Sequence, residues 1–374
     1  MFLAFKEITH SKLRFTLIGT ILVLISWLVF ILSGLGNGLS SLSAASLQNI
    51  DADYFVFEEG SRHSMSRSVL PENIINDLKE QNGVVNASPM GSLVAVVLKE
   101  GKNSDSEKID VSIIGIEPGS FIEPEVIEGK PLTEAKSFQV IVNSTLKEEQ
   151  GIEIGDRLEI EGKTDILEVI GFVEGESFNH LPSIFINIDD WRTLNFAAPG
   201  SDMGIESPVN TIVLQGDTIE PDKLENSVEG IEVATKKEAI NGIPGYTAEN
   251  GTIMMMLGFL LVISAFVIGV FFYVLTLQKT NQFGVMKAMG ASNLFLTKAI
   301  VSQIAILASI SIGIGILLTY GTALILPSGM PFLLDPLLVL GYAIVLLVVA
   351  ILSSLISVRK ITKIDPLQAI GRAE

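Results

Sequence analysis

The sequence predicts a membrane protein with four transmembrane α-helices, one before and three after a large α+β extracytoplasmic domain. Three observations lead to this fold class. Of the 374 residues, 48% are hydrophobic and only 18% are charged, which is too apolar for a soluble chain of this size. Four long runs carry no charged residue. Between the first two runs, residues 51–249 hold 38 Asp and Glu against 15 Lys and Arg, a net charge of −23 that requires water.

The first transmembrane helix follows a short N-terminal segment. Residues 1–14 mix apolar and basic side chains, which predicts either an amphipathic helix at the cytoplasmic interface or a disordered basic tail. Residues 15–50 carry no charge, and a span needs about 20 apolar residues. We assign 15–50 to the first helix and a Ser-rich stalk. A cleaved signal peptide is the alternative, but the apolar core of such a peptide has only about 7 to 15 residues.

Three further spans follow the extracytoplasmic domain. Each is an uncharged run too long for a barrel strand, and because a backbone in lipid must satisfy its own hydrogen bonds, each is predicted to be helical. The predicted spans are 250–278, 299–326 and 336–358, and the connections are an inner loop at 279–298, an outer turn at 327–335 and a tail at 359–374.

The basic residues predict the orientation of these spans. Lys and Arg lie in the N-terminal segment, the 279–298 loop and the C-terminal tail, whereas the 327–335 turn has none. Positively charged short loops stay in the cytoplasm. The chain is therefore predicted to be a multi-pass protein of the cell (plasma) membrane, with both termini cytoplasmic and residues 51–249 outside.

The extracytoplasmic domain shows short segments of alternating apolar and polar residues, which predict strands. The predicted strands lie near residues 53–59, 93–100, 110–117, 138–144, 156–162, 165–175, 183–189 and 210–217. Segments 71–81 and 144–151 are predicted to be helical. A loop-like stretch at 118–132 predicts a division into two lobes.

Composition and motifs exclude several function classes. A net charge of −17 excludes nucleic-acid binding, and the absence of Cys excludes thiolate chemistry. Gly162-Lys163-Thr164 is the nearest approach to a phosphate-binding loop, but Arg157 stands where that loop needs glycine. We predict no catalytic residue and no metal site of the chain's own. Because the spans lack ionisable groups of the kind that ion-coupled carriers use, energy for transport is predicted to come from a separate subunit.

A short polar helix is predicted within the 279–298 loop, ending before Gly290. A compact helix held at the membrane surface by two spans suits docking to a soluble partner. Its residues are Gln282, Phe283, Gly284, Val285, Met286, Lys287, Ala288 and Met289.

The segment LQKTNQFGVMKAMGASNLFLTKAI and the tail IDPLQAIGRAE resemble the FtsX/MacB-type (type VII) permeases of ABC transporters. The order of one helix, a large exterior domain and three helices matches that family over the whole chain. The resemblance implies that the helix at 282–289 is a coupling helix contacting a cytoplasmic ABC ATPase. It also implies that two copies of the permease pair, that ATP and Mg bind to the ATPase, and that the chain itself is not an enzyme.

Within this family, the segments IPGYTAENGTIMMM and MPFLLDP resemble the haem-exporting members. This resemblance implies that haem is the exported substrate, that no cofactor is bound permanently, and that the partner is an HrtA-like ATPase. Haem iron accepts His, Met and Tyr ligands. The candidate haem-binding residues carried over by the resemblance are Tyr246, Glu249, Met255, Met256 and His180.

Each candidate also has an ordinary structural explanation. Met255 and Met256 can fill packing or dimer contacts, because Met adapts to irregular interfaces without any metal. His180 can serve as a hydrogen-bonding residue in a loop. Tyr246 can be an aromatic residue of the membrane interface.

The first span contains the pattern G-x-x-x-G, formed by Gly34 and Gly38. Small residues at this spacing permit the close approach of a neighbouring helix. We therefore assign the first and second spans to the interface with a second copy of the permease.

Two other functions fit the same architecture. The cargo can instead be a peptide, a glycolipid or a lipoprotein. Alternatively, the chain can be an FtsX-like mechanotransmitting signalling protein, in which the exterior domain activates a wall hydrolase or a sensor and nothing crosses the membrane.

Overall fold

The computed structural model describes residues 12–101, 108–216, 218–278, 280–326 and 330–361. The chain folds into two compact units. We call Leu39–Asn250 the exterior unit, and Met1–Gly38 together with Gly251–Glu374 the membrane unit. The predicted N-terminal interface helix and most of the predicted C-terminal tail lie outside the described residues.

The helices of the described residues fall into a long and a short class. They are α1 (Lys12–Gln48), α2 (Ile74–Lys79), α3 (Thr145–Gln150), α4 (Ile188–Asn195), α5 (Pro221–Ser227), α6 (Lys236–Asn241), α7 (Tyr246–Gln278), α8 (Thr280–Ala288), α9 (Asn293–Ala323) and α10 (Pro336–Ile361). Helices α1, α7, α9 and α10 are long and apolar enough to cross a membrane. One precedes and three follow the strands, which confirms the predicted fold class.

Helices α1 and α7 both exceed the length that a bilayer requires. At about 1.5 Å per residue, the 37 residues of α1 and the 33 residues of α7 extend about 55 and about 50 Å, against a hydrocarbon layer of about 30 Å. Both helices continue into the exterior unit, α1 at its C-terminal end and α7 at its N-terminal end.

The membrane helices share one apolar core, to which all four contribute buried side chains. Small residues bring α1 and α9 close together, because a Cβ at Gly315 would collide with Ser26. The Nε1–H of Trp27 in α1 donates to Oγ1 of Thr322 in α9 over 3.2 Å. The packing of α1 against α9 therefore depends on a glycine and on an indole hydrogen bond within the membrane unit.

The exterior unit is built on one mixed sheet. Its strands are β1 (Tyr54–Glu58), β2 (Leu70–Pro71), β3 (Asn86–Lys99), β4 (Ile109–Ile116), β5 (Val126–Gly129), β6 (Gln139–Asn143), β7 (Arg157–Ile160), β8 (Ile166–Val173), β9 (Ser177–Phe178), β10 (Leu181–Asn187), β11 (Pro208–Val209), β12 (Thr211–Gln215) and β13 (Ile231–Thr235). Nine strands of the eleven-stranded sheet have the order β13-β1-β12-β3-β4-β10-β6-β8-β5. Of the other two, β7 pairs with both β3 and β8, and β9 pairs with β10. Strands β2 and β11 form a separate pair.

All eight predicted strands are present, but the predicted division into two lobes is wrong. Strand β4, which precedes the 118–132 stretch, pairs in parallel with β10, which follows it. The stretch itself contains β5, an edge strand paired with β8. Because strands from both sides alternate within one sheet, the exterior unit is a single compact body.

The two faces of the sheet are covered differently. Helices α2 to α5 pack on one face, where Trp191 lies over Gly91 and Gly115, at which any Cβ would collide with the indole. The other face receives the outer end of α1 through Ala44 and Leu47. We call residues 39–48 of α1 the stalk segment, and its seat on the sheet is where the candidate site forms.

Candidate functional site

A tight hairpin between β9 and β10 begins the site. Leu181 pairs with Phe178, so the turn consists of only Asn179 and His180. Both have left-handed backbones, with φ of 54° and 65°. This geometry belongs to the type I′ hairpin turn, which favours Asn and Gly, so a histidine at the second position is unusual.

The turn is fastened to the stalk segment by its backbone. The N–H of Asn179 donates to the carbonyl of Ser43 over 2.9 Å, and the N–H of His180 donates to the carbonyl of Leu42 over 3.1 Å. These bonds give the left-handed turn an external support, since strained backbones persist only where the surroundings fix them. They hold the His180 imidazole against α1.

His180, Glu249 and Ser43 form the centre of the site. Nε2 of His180 lies 3.2 Å from Oε2 of Glu249, in the first turn of α7. Oγ of Ser43 lies 3.1 Å from the same imidazole nitrogen and 3.3 Å from the same carboxylate oxygen. The imidazole side chain is 44% exposed and the carboxylate 25%. An incoming ligand can therefore reach both groups.

Tyr246 lies one turn before Glu249 on α7. Its hydroxyl is 2.9 Å from Oγ of Ser40 in the stalk segment, and the residue is only 8% exposed. The predicted candidates Tyr246, Glu249 and His180 are thus brought together by two helix ends and one hairpin.

Buried polar groups continue the site beneath the stalk segment. Oγ of Ser46 lies 2.9 Å from Oγ of Ser183 on β10. Asn49 donates through Nδ2 to Oε1 of Glu176 over 2.9 Å. Burial raises the pKa of Glu176, and the hydrogen bonds from Asn49 and Ser46 oppose that rise only in part.

The other two candidates lie in the membrane unit. Met255 and Met256 follow Glu249 on α7 and are 57% and 43% exposed. Sequence reasoning missed Ser40 and Ser43, because a serine in an uncharged helix carries no pattern of its own. The usable signal was Asn179, since Asn between two short strands favours an I′ turn.

The predicted docking helix is present as α8, which is followed by Gly290 with φ of 94°. A left-handed residue past a helix C-terminus favours glycine. Ser292 then caps α9 by accepting a hydrogen bond from the N–H of Phe295. A sharp, glycine-dependent turn therefore separates α8 from α9. Lys287 lies half-buried in the last turn of α8.

The close approach predicted at Gly34 and Gly38 occurs within one chain. A Cβ at Gly34 would lie 2.6 Å from the ring of Phe332, and one at Gly38 would collide with the backbone of Pro331. A role of these glycines in pairing two copies stays a prediction.

Helix α7 instead presents a long exposed apolar face. Its exposed side chains recur every three or four residues and include Met255, Phe259, Val262, Phe266 and Val270. A groove of about 460 Å³ lies between α7 and α10. It is lined by Ala265, Phe266, Gly269, Val270, Tyr273, Ser353 and Ile356.

Comparison with protein families decides the class of this architecture. The model of the MacB-like periplasmic core domain matches residues 16–231, more than half of the chain. The model of the FtsX-like permease C-terminal domain matches residues 254–366. The chain is an ABC transporter permease of the MacB/FtsX type. Such a permease works in a membrane together with a partner ATPase.

Individual proteins support the same membership. The putative hemin transport system permease protein HrtB of Staphylococcus haemolyticus is 28% identical, with 100% of both chains covered. An uncharacterized ABC transporter permease of Mycobacterium tuberculosis is 23% identical, with 99% of both chains covered. The periplasmic region of MacB from Actinobacillus actinomycetemcomitans is 15% identical, with a TM-score of 0.37 over 51% of this chain and 92% of that chain. That structural likeness is too low to add to the fold described above.

Proposed function

We propose that this MacB/FtsX-type permease is the membrane subunit of a haem exporter of the HrtB kind. It moves haem out of the membrane or cytoplasm with energy from a separate HrtA-like ATPase. Haem is its substrate and not a resident cofactor, and ATP and Mg bind to the ATPase. In this proposal both termini and α8 face the cytoplasm, and the exterior unit faces outward.

The observation that carries the proposal is the cluster at the end of the exterior unit. An imidazole, a carboxylate and a phenol stand together at His180, Glu249 and Tyr246. Nitrogen and oxygen side chains of these kinds can ligate haem iron. The hemin transport name of the Staphylococcus haemolyticus relative supports the same cargo.

Helix α7 connects this cluster to the rest of the proposed path. Met255 and Met256 lie about two turns beyond Glu249, are exposed, and carry thioethers that haem iron also accepts. We propose that two copies of the permease pair along the exposed face of α7, so that the clusters of both copies border one substrate site. In this proposal the coupling helix α8 transmits the movement of the ATPase to α7 and α9, the helices that flank it.

A haem titration tests the proposed cargo. The permease and its ATPase are placed in lipid nanodiscs, and the Soret band and the rate of ATP hydrolysis are followed together. We expect a saturable Soret shift with one haem site per permease dimer, and stimulation of hydrolysis over the same haem range.

A negative titration would exclude haem as the transported substrate. A Soret band identical to that of protein-free nanodiscs, together with hydrolysis that haem does not change, would leave the permease family standing but remove haem as cargo. The same assay repeated with peptides or glycolipids would then distinguish another exporter from an FtsX-like signalling protein, in which no solute stimulates hydrolysis.

A further inference from the structure

The stalk segment carries a polar residue at every third position. The series runs Asn37, Ser40, Ser43, Ser46 and Asn49. Three residues make 300° of helix, so successive members lie about 60° apart around α1 and about 4.5 Å apart along it. The series therefore forms a slowly winding polar stripe on the helix.

We call each polar residue of this stripe a rung. Three of the rungs have a polar partner on the β9–β10 hairpin or beside it. Ser43 contacts His180, Ser46 contacts Ser183, and Asn49 contacts Glu176. The partners form the seat of the stripe. Ser46 also hydrogen-bonds Glu176, so one serine already reaches the next rung.

The seat is buried at Ser183 and Glu176, whereas the side chain of His180 is 44% exposed. Ser43, Ser46 and Ser183 are at most 1% exposed, and Glu176 is 6% exposed. Ser112, which pairs with Ser183 across the sheet, has a buried hydroxyl without a hydrogen-bond partner among the described residues. The stalk segment also packs through Ala44 and Leu47, so rigidity alone does not require the polar stripe, because buried polar groups contribute only while they are all satisfied.

We propose that the polar stripe lets the stalk segment of α1 occupy two registers on the sheet of the exterior unit. In the second register α1 has moved outward by one rung, about 4.5 Å, and turned by about 60°. Ser40 then meets His180, Ser43 meets Ser183, and Ser46 meets Glu176. The proposal rests on the proposed function only in needing the partner ATPase as the source of the movement.

The direction of the shift follows from hydrogen bonding. An outward step places a serine hydroxyl at the positions vacated by Ser43, Ser46 and Asn49, so Ser183 and Glu176 keep their partners. An inward step would place Ala52 against Glu176 and leave that buried carboxyl without its Asn49 bond. Loss of a partner for a buried polar group is costly, so the outward register is the accessible one.

The backbone contacts of the hairpin permit the same step. The N–H groups of Asn179 and His180 bond only to carbonyls of α1, at Ser43 and Leu42. Every turn of a helix presents equivalent carbonyls, so those at Ser40 and Leu39 can take their place. The hairpin can therefore bind α1 in either register.

The apolar side of the stalk segment makes the observed register the resting one. Ala44, Leu47 and Ile50 are buried against the sheet in this register. After the outward step Ala44 occupies the place of Leu47, which leaves a cavity and weakens the packing. The shifted register is therefore populated only while the ATPase holds it.

The absence of cysteine from the sequence allows a clean cross-linking test. Two double variants are prepared, S46C/S183C for the resting register and S43C/S183C for the shifted register. The permease and its ATPase are reconstituted in nanodiscs, and disulfide formation is timed without nucleotide and after trapping with ATP and vanadate. We expect S46C/S183C to form its disulfide at least tenfold faster than S43C/S183C without nucleotide, and the order to reverse after trapping.

The control pair is S41C/S183C, because Ser41 is not part of the stripe and should cross-link in neither state. Equal rates for S46C/S183C in both states, with no S43C/S183C disulfide after trapping, would contradict the proposal of two registers. If these variants accumulate poorly, N49C/E176C tests the next rung as a resting-register pair, and its disulfide should form faster without nucleotide than after trapping. Haem is absent from the assay, so a failed haem titration leaves this result valid.

Discussion

Replacing Lys287 with Glu is expected to lower haem-stimulated ATP hydrolysis by at least tenfold while the permease still folds and inserts. Lys287 lies in the last turn of α8, where a cation also interacts favourably with the helix C-terminus. A reversed charge on a docking surface opposes the partner's complementary charge and weakens association by amounts that easily reach about 1.4 kcal/mol, or tenfold. The measurement is haem-stimulated ATP hydrolysis of the reconstituted complex.

The conservative variant Lys287→Arg serves as the matched control for Lys287→Glu, since it keeps the charge and the length of the side chain. It should retain most of the stimulated hydrolysis. Equal, wild-type hydrolysis in both variants would remove Lys287 from the docking surface, although α8 as a whole could still contact the ATPase through its other residues.

The second large effect is expected at the cluster of the exterior unit. Glu249→Gln combined with His180→Ala should weaken haem binding by at least tenfold and change the position of the Soret band. The two substitutions remove the carboxylate and the imidazole that stand 3.2 Å apart, and with them two of the proposed haem-binding groups. Haem titration of the purified permease, read at the Soret band, gives both quantities.

His63→Ala is the control for this pair, because His63 is also a histidine of the exterior unit but lies in the loop held by Glu232. Its haem affinity should equal that of the wild type. An unchanged affinity in the double variant, with the Soret band in its original place, would show that His180 and Glu249 do not ligate the iron. Met255 and Met256 would then be the next residues to replace.

Much of the fold follows from the sequence because bilayer thickness imposes strict requirements. Uncharged runs of more than about 20 residues have few alternatives to a membrane helix, so the helices α1, α7, α9 and α10 were predictable. The longer strands of the exterior unit were also predictable from alternation. Their order in the sheet was not, because β4 and β10 are separated by a stretch that resembles a domain break.

The candidate site was predictable in part. Tyr246, Glu249 and His180 came from a resemblance, and nothing in their spacing indicated that His180 meets a residue 69 positions further along the chain. The contact depends on the left-handed turn at Asn179 and His180 and on the serines of α1. Serines at intervals of three in an uncharged helix do not stand out against a hydrophobic background. Tertiary structure alone shows that they face a buried polar seat.

The central claim, that this permease exports haem at the expense of ATP, is tested most directly by haem transfer. Proteoliposomes containing the permease and its ATPase are loaded with haem, and apomyoglobin outside the vesicles reports the haem that leaves. ATP must be supplied on the side that carries α8. We predict that ATP accelerates transfer to apomyoglobin at least tenfold over the leak and that vanadate abolishes the acceleration. Transfer at the leak rate, while the complex hydrolyses ATP normally, would contradict the assignment of haem as the cargo.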